Sequence, residues 1–513
     1  MTGPTSIPQD VSLTSGRSVR RGVFVVTALG AFMASLDLSI VNVAFPALER
    51  AFSHDARASL AWVVTGYSIV FGSLLVVAGR SADRNGSRRV FFAGLAVFCV
   101  GSALSGAAPS VPLLIAGRVV QGVGAAAVLP SSLGLLLGAY PSESRSQVVA
   151  MWGGIGALAV ATGPSLGAAL ITWLGWRAAF YVNLPIGLVA WLLGRRVLDR
   201  SRGTRSSARP DYWGVVLLSV SLAALVLAIS EGRSWGWSNS RVLAGFAGSL
   251  LLGVLFWRRS GRHPEPVLDL RLFHARSFSA ANAATLLYAM GFFAMLLGNI
   301  LFLTSEWHYS ILLAGLAVTP GPLVVALVSS WVGRSAVRWG FRSVIMVGSG
   351  VFALGLVWFA LKVGLEPNYL GVWLPGTLAV GLGIGLTFPV LGAEAVSSLR
   401  SESFAVGSAV NQTARQVGGA IGVAVMVVVL GNPSSAQSAL TDFHHLWWYV
   451  AGTAIAAGAA ASTLRRGTAM DHASGQMSLA EVEGRTMAAV LDGELVLVDP
   501  DTPEENRVTR VLD

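Results

Sequence analysis

Two ionisable residues lie inside long apolar segments, where an ionised side chain is energetically unfavourable. Asp37 lies within residues 23–45, and Arg118 lies within residues 112–137. If both segments are helices that cross a bilayer, each residue lies about 9 Å below the same membrane face. A charge at that depth costs at least about 2.5–3.5 kcal/mol, which points to a function. Asp37 can bind and release a proton with Arg118 as its partner; the alternative is a static ion pair that locks two helices.

A polar turn follows the apolar residues 60–79. Its glycines allow a tight backbone turn, and its carboxylate can meet a basic group or a helix N-terminus. The pattern predicts a latch at the cytoplasmic face, formed by Gly79, Asp83, Arg84, Gly86, Arg88 and Arg89. A solvated turn rich in positive charge is the alternative.

Residues 148–171 contain Gly163, Pro164 and Gly167. Proline removes a backbone hydrogen bond and bends a helix, and glycines let a neighbouring helix approach closely. The segment therefore predicts a hinge or a proton-tight seal between helices, with plain helix packing as the alternative.

Seven more polar residues are candidates for a second acid or for the lining of a cavity: Asn42, Gln121, Glu306, Glu394, Asn411, Gln412 and Arg415. Glu306 and Glu394 lie near the ends of apolar segments, where a long side chain reaches water easily. For Arg415, cavity lining and bonding at an inner gate are both open. No metal site is expected at the pair His444-His445, which has no thiol nearby.

Composition identifies the class of protein that these residues belong to. The chain has 513 residues, of which 54% are hydrophobic and only 12% charged, against about 25% charged in ordinary globular proteins. Such a chain is predicted to be an integral membrane protein. Its net charge of +10 fits contact with anionic lipid at the inner face, so no nucleic-acid partner is needed. Its one lysine, Lys362, does not follow glycine, so the chain has no P-loop ATPase of its own, and no ATPase subunit is implied.

Hydropathy predicts an all-α membrane protein with 14 transmembrane helices. The predicted spans are 23–45, 60–79, 90–108, 112–137, 148–171, 178–194, 212–230, 242–257, 278–303, 311–333, 343–361, 370–397, 405–430 and 446–464. With a cytoplasmic N-terminus, basic residues concentrate in the inner loops, as the positive-inside rule requires.

An internal repeat divides these spans. Residues 79–88 and 333–342 share seven of ten residues at a shift of 254, and Gly122-x-Gly124 matches Gly381-x-Gly383 at a shift of 259. Duplicated halves are typical of secondary transporters. We therefore expect two six-helix bundles (23–196 and 278–464), a linker with two inserted helices (197–277), a cytoplasmic arm (1–22) and an acidic cytoplasmic tail (465–513) with a short helix near 478–491.

These motifs resemble the major facilitator superfamily, in particular its fourteen-helix drug:proton antiporter branch. The segments 36–46, 79–89 and 118–124 are similar to its first-helix, loop 2–3 and fourth-helix motifs. The segments 163–167 and 176–187 are similar to its fifth-helix antiporter motif and its sixth-helix opening. Ser81 and Ser87 depart from the loop motif, and Leu303 to Tyr309 replaces the usual end of span nine. The resemblance implies the major facilitator fold and alternating access, with export driven by proton entry.

The sequence thus predicts a proton-coupled antiporter that exports amphipathic or cationic drugs across the bacterial inner membrane. It would use the proton gradient and no cofactor, with both termini cytoplasmic and membrane lipid, protons and a small-molecule substrate as partners. The alternative within transport is a dedicated exporter of one metabolite or self-made antibiotic. A membrane enzyme acting on lipid and a sensor or scaffold are the rival classes.

Overall fold

A computed structural model of the chain describes residues 10–140, 142–198, 211–397, 399, 404–464, 487–491, 494–498 and 508–510. Within these residues the membrane part is entirely helical. Its α-helices are α1 (Asp10–Ala51), α2 (Arg57–Asn85), α3 (Ser87–Ala107), α4 (Val111–Ala139), α5 (Ser142–Leu174), α6 (Ala178–Tyr181), α7 (Asn183–Val197), α8 (Tyr212–Trp235), α9 (Ser240–Ser260), α10 (Arg276–Ser305), α11 (Ile311–Val318), α12 (Pro320–Trp339), α13 (Phe341–Lys362), α14 (Leu374–Ser397), α15 (Phe404–Leu430) and α16 (Ala436–Ala461). A 3₁₀ turn (Leu270–His274) precedes α10, and a π-helical turn (Tyr369–Trp373) precedes α14.

The helices are long because a bilayer offers no water to backbone groups, so each spanning segment must satisfy its own hydrogen bonds. In the described chain, thirteen helices are long and apolar enough to cross a membrane. Two spans are each interrupted: α6 with α7, and α11 with α12. The predicted last span falls in α16, which is not among these thirteen helices. This helix has 26 residues, but its first part contains the polar residues Asp442, His444 and His445. The all-α membrane fold predicted from the sequence is confirmed.

The structure moves some boundaries. The helix α16 begins ten residues before the predicted span 446–464 because the Ser435 hydroxyl caps it, accepting a hydrogen bond from the Ser438 backbone N–H at 3.2 Å. The helix α1 begins at Asp10, inside the predicted arm. In the tail, residues 465–486 lie outside the described residues. The helix predicted near 478–491 is wrong at its end, because Met487–Leu491 forms the strand β1.

That strand belongs to a three-stranded antiparallel sheet. β1 pairs with β2 (Glu494–Val498), which pairs with β3 (Val508–Arg510). Valine occurs in all three strands and threonine in β3, and β-branched side chains favour extended backbone over helix.

Helix packing repeats in the two parts of the chain, which we name the amino-terminal half (α1–α7) and the carboxy-terminal half (α10–α16). A Cβ atom on Gly124 of α4 would collide with the backbone N of Phe98 in α3. A Cβ atom on Gly383 of α14 would collide with the backbone N of Phe352 in α13. The same close helix pair, held by a glycine, therefore occurs in both halves.

The inserted pair α8 and α9 lies against the seam between the halves. Its helix α8 contacts α2 of one half and α15 of the other. A buried apolar cluster fills this junction, formed by Ile69, Leu222, Val226, Ala420 and Ala424. At the outer end of α8, Arg233 donates to the carbonyl oxygen of Val428 at 3.0 Å. The insertion is thus packed on both halves.

The halves also touch each other directly. A Cβ atom on Gly315 of α11 would lie 2.6 Å from the carbonyl oxygen of Pro164 in α5, so these helices are in close contact. Deeper in the membrane, the Thr413 hydroxyl of α15 donates to the carbonyl oxygen of Gly72 in α2 at 2.8 Å. Any rocking of one half against the other must slide or break these contacts.

Candidate functional site

Asp37 is the centre of a buried polar network inside the amino-terminal half. It is 0% exposed on α1. Its Oδ2 accepts from Arg118 Nη1 of α4 at 2.6 Å. Its Oδ1 accepts from Gln121 Nε2 at 2.8 Å and from Asn183 Nδ2 of α7 at 3.0 Å. The structure therefore brings together the two charges that the sequence placed at one depth, and the carboxylate accepts hydrogen bonds from three side chains.

Hydrogen bonds and an aromatic ring hold the guanidinium of Arg118 in place. Its Nε donates to the carbonyl oxygen of Val63 in α2 at 2.9 Å, and its Nη1 also donates to Gln121 Oε1 at 2.7 Å. Its plane lies over the Tyr67 ring, with 4.2 Å between the guanidinium carbon and the ring centroid. Arg118 and Gln121 share one helix face because they are three residues apart. The ion pair is thus hydrogen-bonded and stacked, the condition under which a buried pair is tolerated.

The sequence did not single out three members of this network: Tyr67, Ser102 and Asn183. Ser102 donates to the carbonyl oxygen of Phe180 at 2.7 Å and accepts from Gln121 at 3.2 Å and from Asn183 at 3.0 Å. Its hydroxyl therefore uses one donor and two acceptor positions, its full capacity. The sequence signal that could have pointed to this network was Asn183, a polar residue near the start of the apolar span 178–194.

Asp37 stays a predicted proton site, and in this structure it is sealed from solvent. Protonation of Asp37 would remove the negative charge that Arg118 and the two amides bind, and would leave Arg118 a buried cation without a counter-charge. Because both residues are at most 1% exposed, the helices must separate before water reaches the carboxylate. Proton exchange at Asp37 therefore requires a change of conformation.

The glycine-proline segment of α5 packs next to this network. Gly163 lies against the side chain of Ser39, and a Cβ atom on Gly167 would lie 3.1 Å from Ile40 Cγ1. Both contacted residues are within three positions of Asp37 on α1. On its other side, the backbone of Pro164 contacts α11 of the carboxy-terminal half. The segment therefore links the surroundings of Asp37 to the opposite half; its role as hinge or seal stays a prediction.

The chain matches the model of the Major Facilitator Superfamily over residues 27–423. It belongs to the Major Facilitator Superfamily. It is 33% identical over 407 residues to the multidrug resistance protein Stp of Mycobacterium tuberculosis, covering 79% of this chain and 75% of Stp. It is 32% identical over 410 residues to the methylenomycin A resistance protein of Bacillus subtilis, covering 80% of this chain and 87% of that protein.

A third relative is the cephamycin export protein CmcT of Amycolatopsis lactamdurans, 34% identical over 448 residues, covering 84% of this chain and 89% of CmcT. Among solved structures, the fold is similar to the POT family transporter PepTSo, with a TM-score of 0.62 at 15% identity, covering 88% of this chain and 98% of that one. The resemblance drawn from the motifs is confirmed, and the chain is a multi-pass membrane transporter of the superfamily with a small-molecule substrate.

In this transporter the predicted latch lies at the turn between α2 and α3. Gly86 takes a φ of 90° there, and Gly340 takes 81° at the matching turn between α12 and α13. Arg88 lies over the ring of Phe92, with 5.5 Å from the guanidinium carbon to the centroid. Of the other predicted members, Gly79 and Arg88 are partly exposed, Arg84 and Arg89 are exposed, and the side chain of Asp83 lies outside the described residues. The latch stays a prediction.

The candidate second acids do not join the Asp37 network. Glu306 is the C-cap residue of α10, accepts from the Ser305 hydroxyl at 2.9 Å, and borders a cavity of about 130 Å³. Glu394 is 7% exposed near the C-terminal end of α14 and accepts from the Ser397 hydroxyl at 3.2 Å. Asn42 donates to the backbone of its own helix at 2.6 Å. Only Gln121, of the seven further candidates, contacts Asp37.

The candidates on α15 occupy the inner part of the carboxy-terminal half. Asn411 Nδ2 donates to Asn282 Oδ1 at 3.2 Å and to Thr285 Oγ1 at 2.8 Å, both on α10. Gln412 and Arg415 are partly exposed. These residues form a second polar region, separate from the Asp37 network.

Proposed function

We propose that this transporter is a proton-coupled exporter of amphipathic drugs, cationic ones included, that works by alternating access in the bacterial inner membrane with both termini in the cytoplasm. The observation that carries the proposal is the sealed network around Asp37. A buried carboxylate held by a cation is a group whose protonation changes helix contacts. The names of the relatives, multidrug resistance and antibiotic resistance or export proteins, support drugs as cargo.

The coupling step follows from the contacts of Asp37. A proton that reaches the carboxylate removes its bond to Arg118, which ties α1 to α4. Breaking a buried pair is worth about 3–5 kcal/mol, comparable with the energy that one proton gains on crossing an energised membrane, about 2.3 kcal/mol per 100 mV. Because α1 packs on α5, and α5 on α11, a shift of α1 is passed to the opposite half.

A dedicated exporter of one antibiotic is the second candidate. It is favoured by the name of CmcT, an export protein for one antibiotic class. The breadth of the transported set separates the two candidates, and the proton site serves both.

Proton flux in inverted vesicles tests the proposal. We would impose a pH gradient, add a panel of lipophilic cations and neutral amphiphiles, and record collapse of the gradient for the wild type and Asp37→Asn. We expect collapse with several compounds in the wild type and none with Asp37→Asn. The matched control is Glu49→Gln, which removes an acid of the same helix whose side chain is 24% exposed and paired with Arg57.

Full coupled efflux by Asp37→Asn would contradict the assignment of the proton site. Collapse of the gradient with a single compound only would favour the dedicated exporter. No response to any compound by folded wild-type protein would contradict proton-coupled efflux of this panel.

A further inference from the structure

Arg415 carries a charge near the middle of the membrane. It lies eleven residues into α15, roughly 16 Å from the start of that helix at 1.5 Å per residue. The apolar span that contains it runs from Val406 to Leu430. An arginine at that depth is costly and calls for a partner or a function.

The face of its guanidinium is held by an aromatic ring. The guanidinium carbon lies 4.1 Å from the centroid of Phe388 on α14. That ring makes edge-to-face contacts with Tyr288 and Phe292 on α10, each with a centroid distance of 5.0 Å. Stacking uses the face of the guanidinium and leaves the N–H donors at its edge available. Packing therefore positions the cation, and no hydrogen bond to another described residue occupies its donors.

No acid neutralises Arg415 in the part of the chain that the structure describes. The ion pairs found there are Arg57–Glu49, Arg118–Asp37 and Arg259–Asp211. None of the hydrogen bonds between described residues involves Arg415. Its side chain is partly exposed. Arg118, in contrast, is 1% exposed and donates three hydrogen bonds, one of them to Asp37.

We propose that Arg415 binds the acidic group of anionic amphiphiles and that the rings around Phe388 receive their apolar body. This proposal rests on the proposed export function and adds a substrate class to it: aromatic or apolar carboxylates and sulfonates. Charge-assisted bonds from a planar guanidinium to a carboxylate are strong and bidentate. Asp37 cannot compete for a cationic group in this conformation, because it is sealed.

The alternative is that Arg415 holds an inner gate by pairing with an acid of this chain in another conformation. That role would affect every substrate equally. A binding site for an acid would affect only compounds that carry one.

Binding to the purified full-length protein in detergent tests the proposal. The probes share one scaffold and differ in charge: naphthalene-2-carboxylate, its methyl ester, and 2-naphthylmethylammonium. Calorimetric titration would be made with the wild type, Arg415→Gln, Arg415→Lys and the control Arg258→Gln, which removes an exposed arginine at the end of α9. We expect the wild type to bind the carboxylate about tenfold or more tightly than the ester, the value of one charge-assisted hydrogen bond.

Arg415→Gln should remove this preference, Arg415→Lys should keep part of it, and Arg258→Gln should leave it unchanged. Equal binding of carboxylate and ester by the wild type would overturn the proposal, even if Arg415→Gln failed to fold. Equal weakening of all three probes by Arg415→Gln would overturn it in favour of a gate.

Export assays then separate this proposal from the function on which it rests. Loss of acid export alone in Arg415→Gln, with other compounds still exported, supports the anionic site. Absence of any export by the wild type would contradict the proposed function, while the binding preference would still decide the role of Arg415.

Discussion

The two halves of this transporter share their packing but not their charge. In the amino-terminal half, a Cβ atom on Gly122 would lie 2.9 Å from the carbonyl oxygen of Tyr67. In the carboxy-terminal half, 259 residues later, a Cβ atom on Gly381 would lie 2.5 Å from the carbonyl oxygen of Gly321. The backbones of the two helix pairs therefore approach each other in the same way.

The polar residues at these equivalent places are different. Thr377 stands where the first half has Arg118, and Val380 stands where it has Gln121. Gly321 stands in the place of Tyr67, the ring on which the arginine lies. The duplicated scaffold thus kept the glycines that close helix contact requires, and only one copy has a buried ion pair at this place. We therefore expect the scaffold and the proposed proton site to be separable, and substitutions in matched positions test this.

The largest effect is expected from Arg118→Thr, which gives the first half the residue of the second. It would leave Asp37 buried without its cation, and breaking a buried pair destabilises a protein by about 3–5 kcal/mol. Thermal unfolding in detergent measures the stability, and proton flux measures the coupling. We expect both to fall strongly.

The matched variant is Thr377→Val. The Thr377 hydroxyl is buried without a hydrogen-bond partner among the described residues, so its removal should leave the thermal stability unchanged or raise it slightly. The double variant Asp37→Asn with Arg118→Gln should recover stability but not coupling, because it removes both charges. Equal loss of stability in Arg118→Thr and Thr377→Val would contradict the asymmetry of the two halves.

Much of this arrangement could be predicted from the sequence, because hydropathy and length determine a spanning helix. The depth of Asp37 and Arg118 also followed from counting residues along their helices. Tyr67, Ser102 and Asn183 were missed because neutral polar residues are common in membrane helices, and only tertiary contact shows which of them face a charge.

Other expectations failed or stayed open for identifiable reasons. The start of α16 was set too late because its first turns contain polar residues, and the serine cap that begins the helix has no hydropathy signal. Glu306 and Glu394 were candidates by charge; each contacts a serine near the end of its own helix, and their role as a second acid or as cavity lining stays a prediction. The freedom of Arg415 was invisible in the sequence, since it depends on which side chains surround it.

An intermediate effect of equal size is expected from Gly124→Ala and Gly383→Ala. Each added methyl group would meet a backbone N of the neighbouring helix, which cannot move without shifting that helix. Overpacking of this kind typically costs about 1–3 kcal/mol. Thermal unfolding of both variants measures this cost. The control is Gly153→Ala, because a Cβ atom at Gly153 would meet nothing within 4 Å. A large loss in only one of the two glycine variants would break the claim that the halves share a scaffold.

The smallest effect is expected from Arg259→Gln in the inserted pair. Its ion pair with Asp211 has the same N–O distance as the pair of Arg118 with Asp37, 2.6 Å. The side chain of Arg259 is 35% exposed, while that of Asp211 is 0% exposed. Water therefore screens the attraction from the arginine side only, and we expect the pair to be worth about 1 kcal/mol, the upper end of the range for exposed pairs. Asp211 also keeps the backbone N–H of Gly214, at 2.8 Å, when the arginine is lost.

We therefore expect a slight decrease in thermal stability and unchanged proton flux. If Arg259→Gln destabilised the protein as much as Arg118→Thr, the length of an ion pair would matter more than its burial. The special position of the Asp37 network would then need another explanation, because burial of both partners is what sets its ion pair apart from the other ion pairs in the described chain.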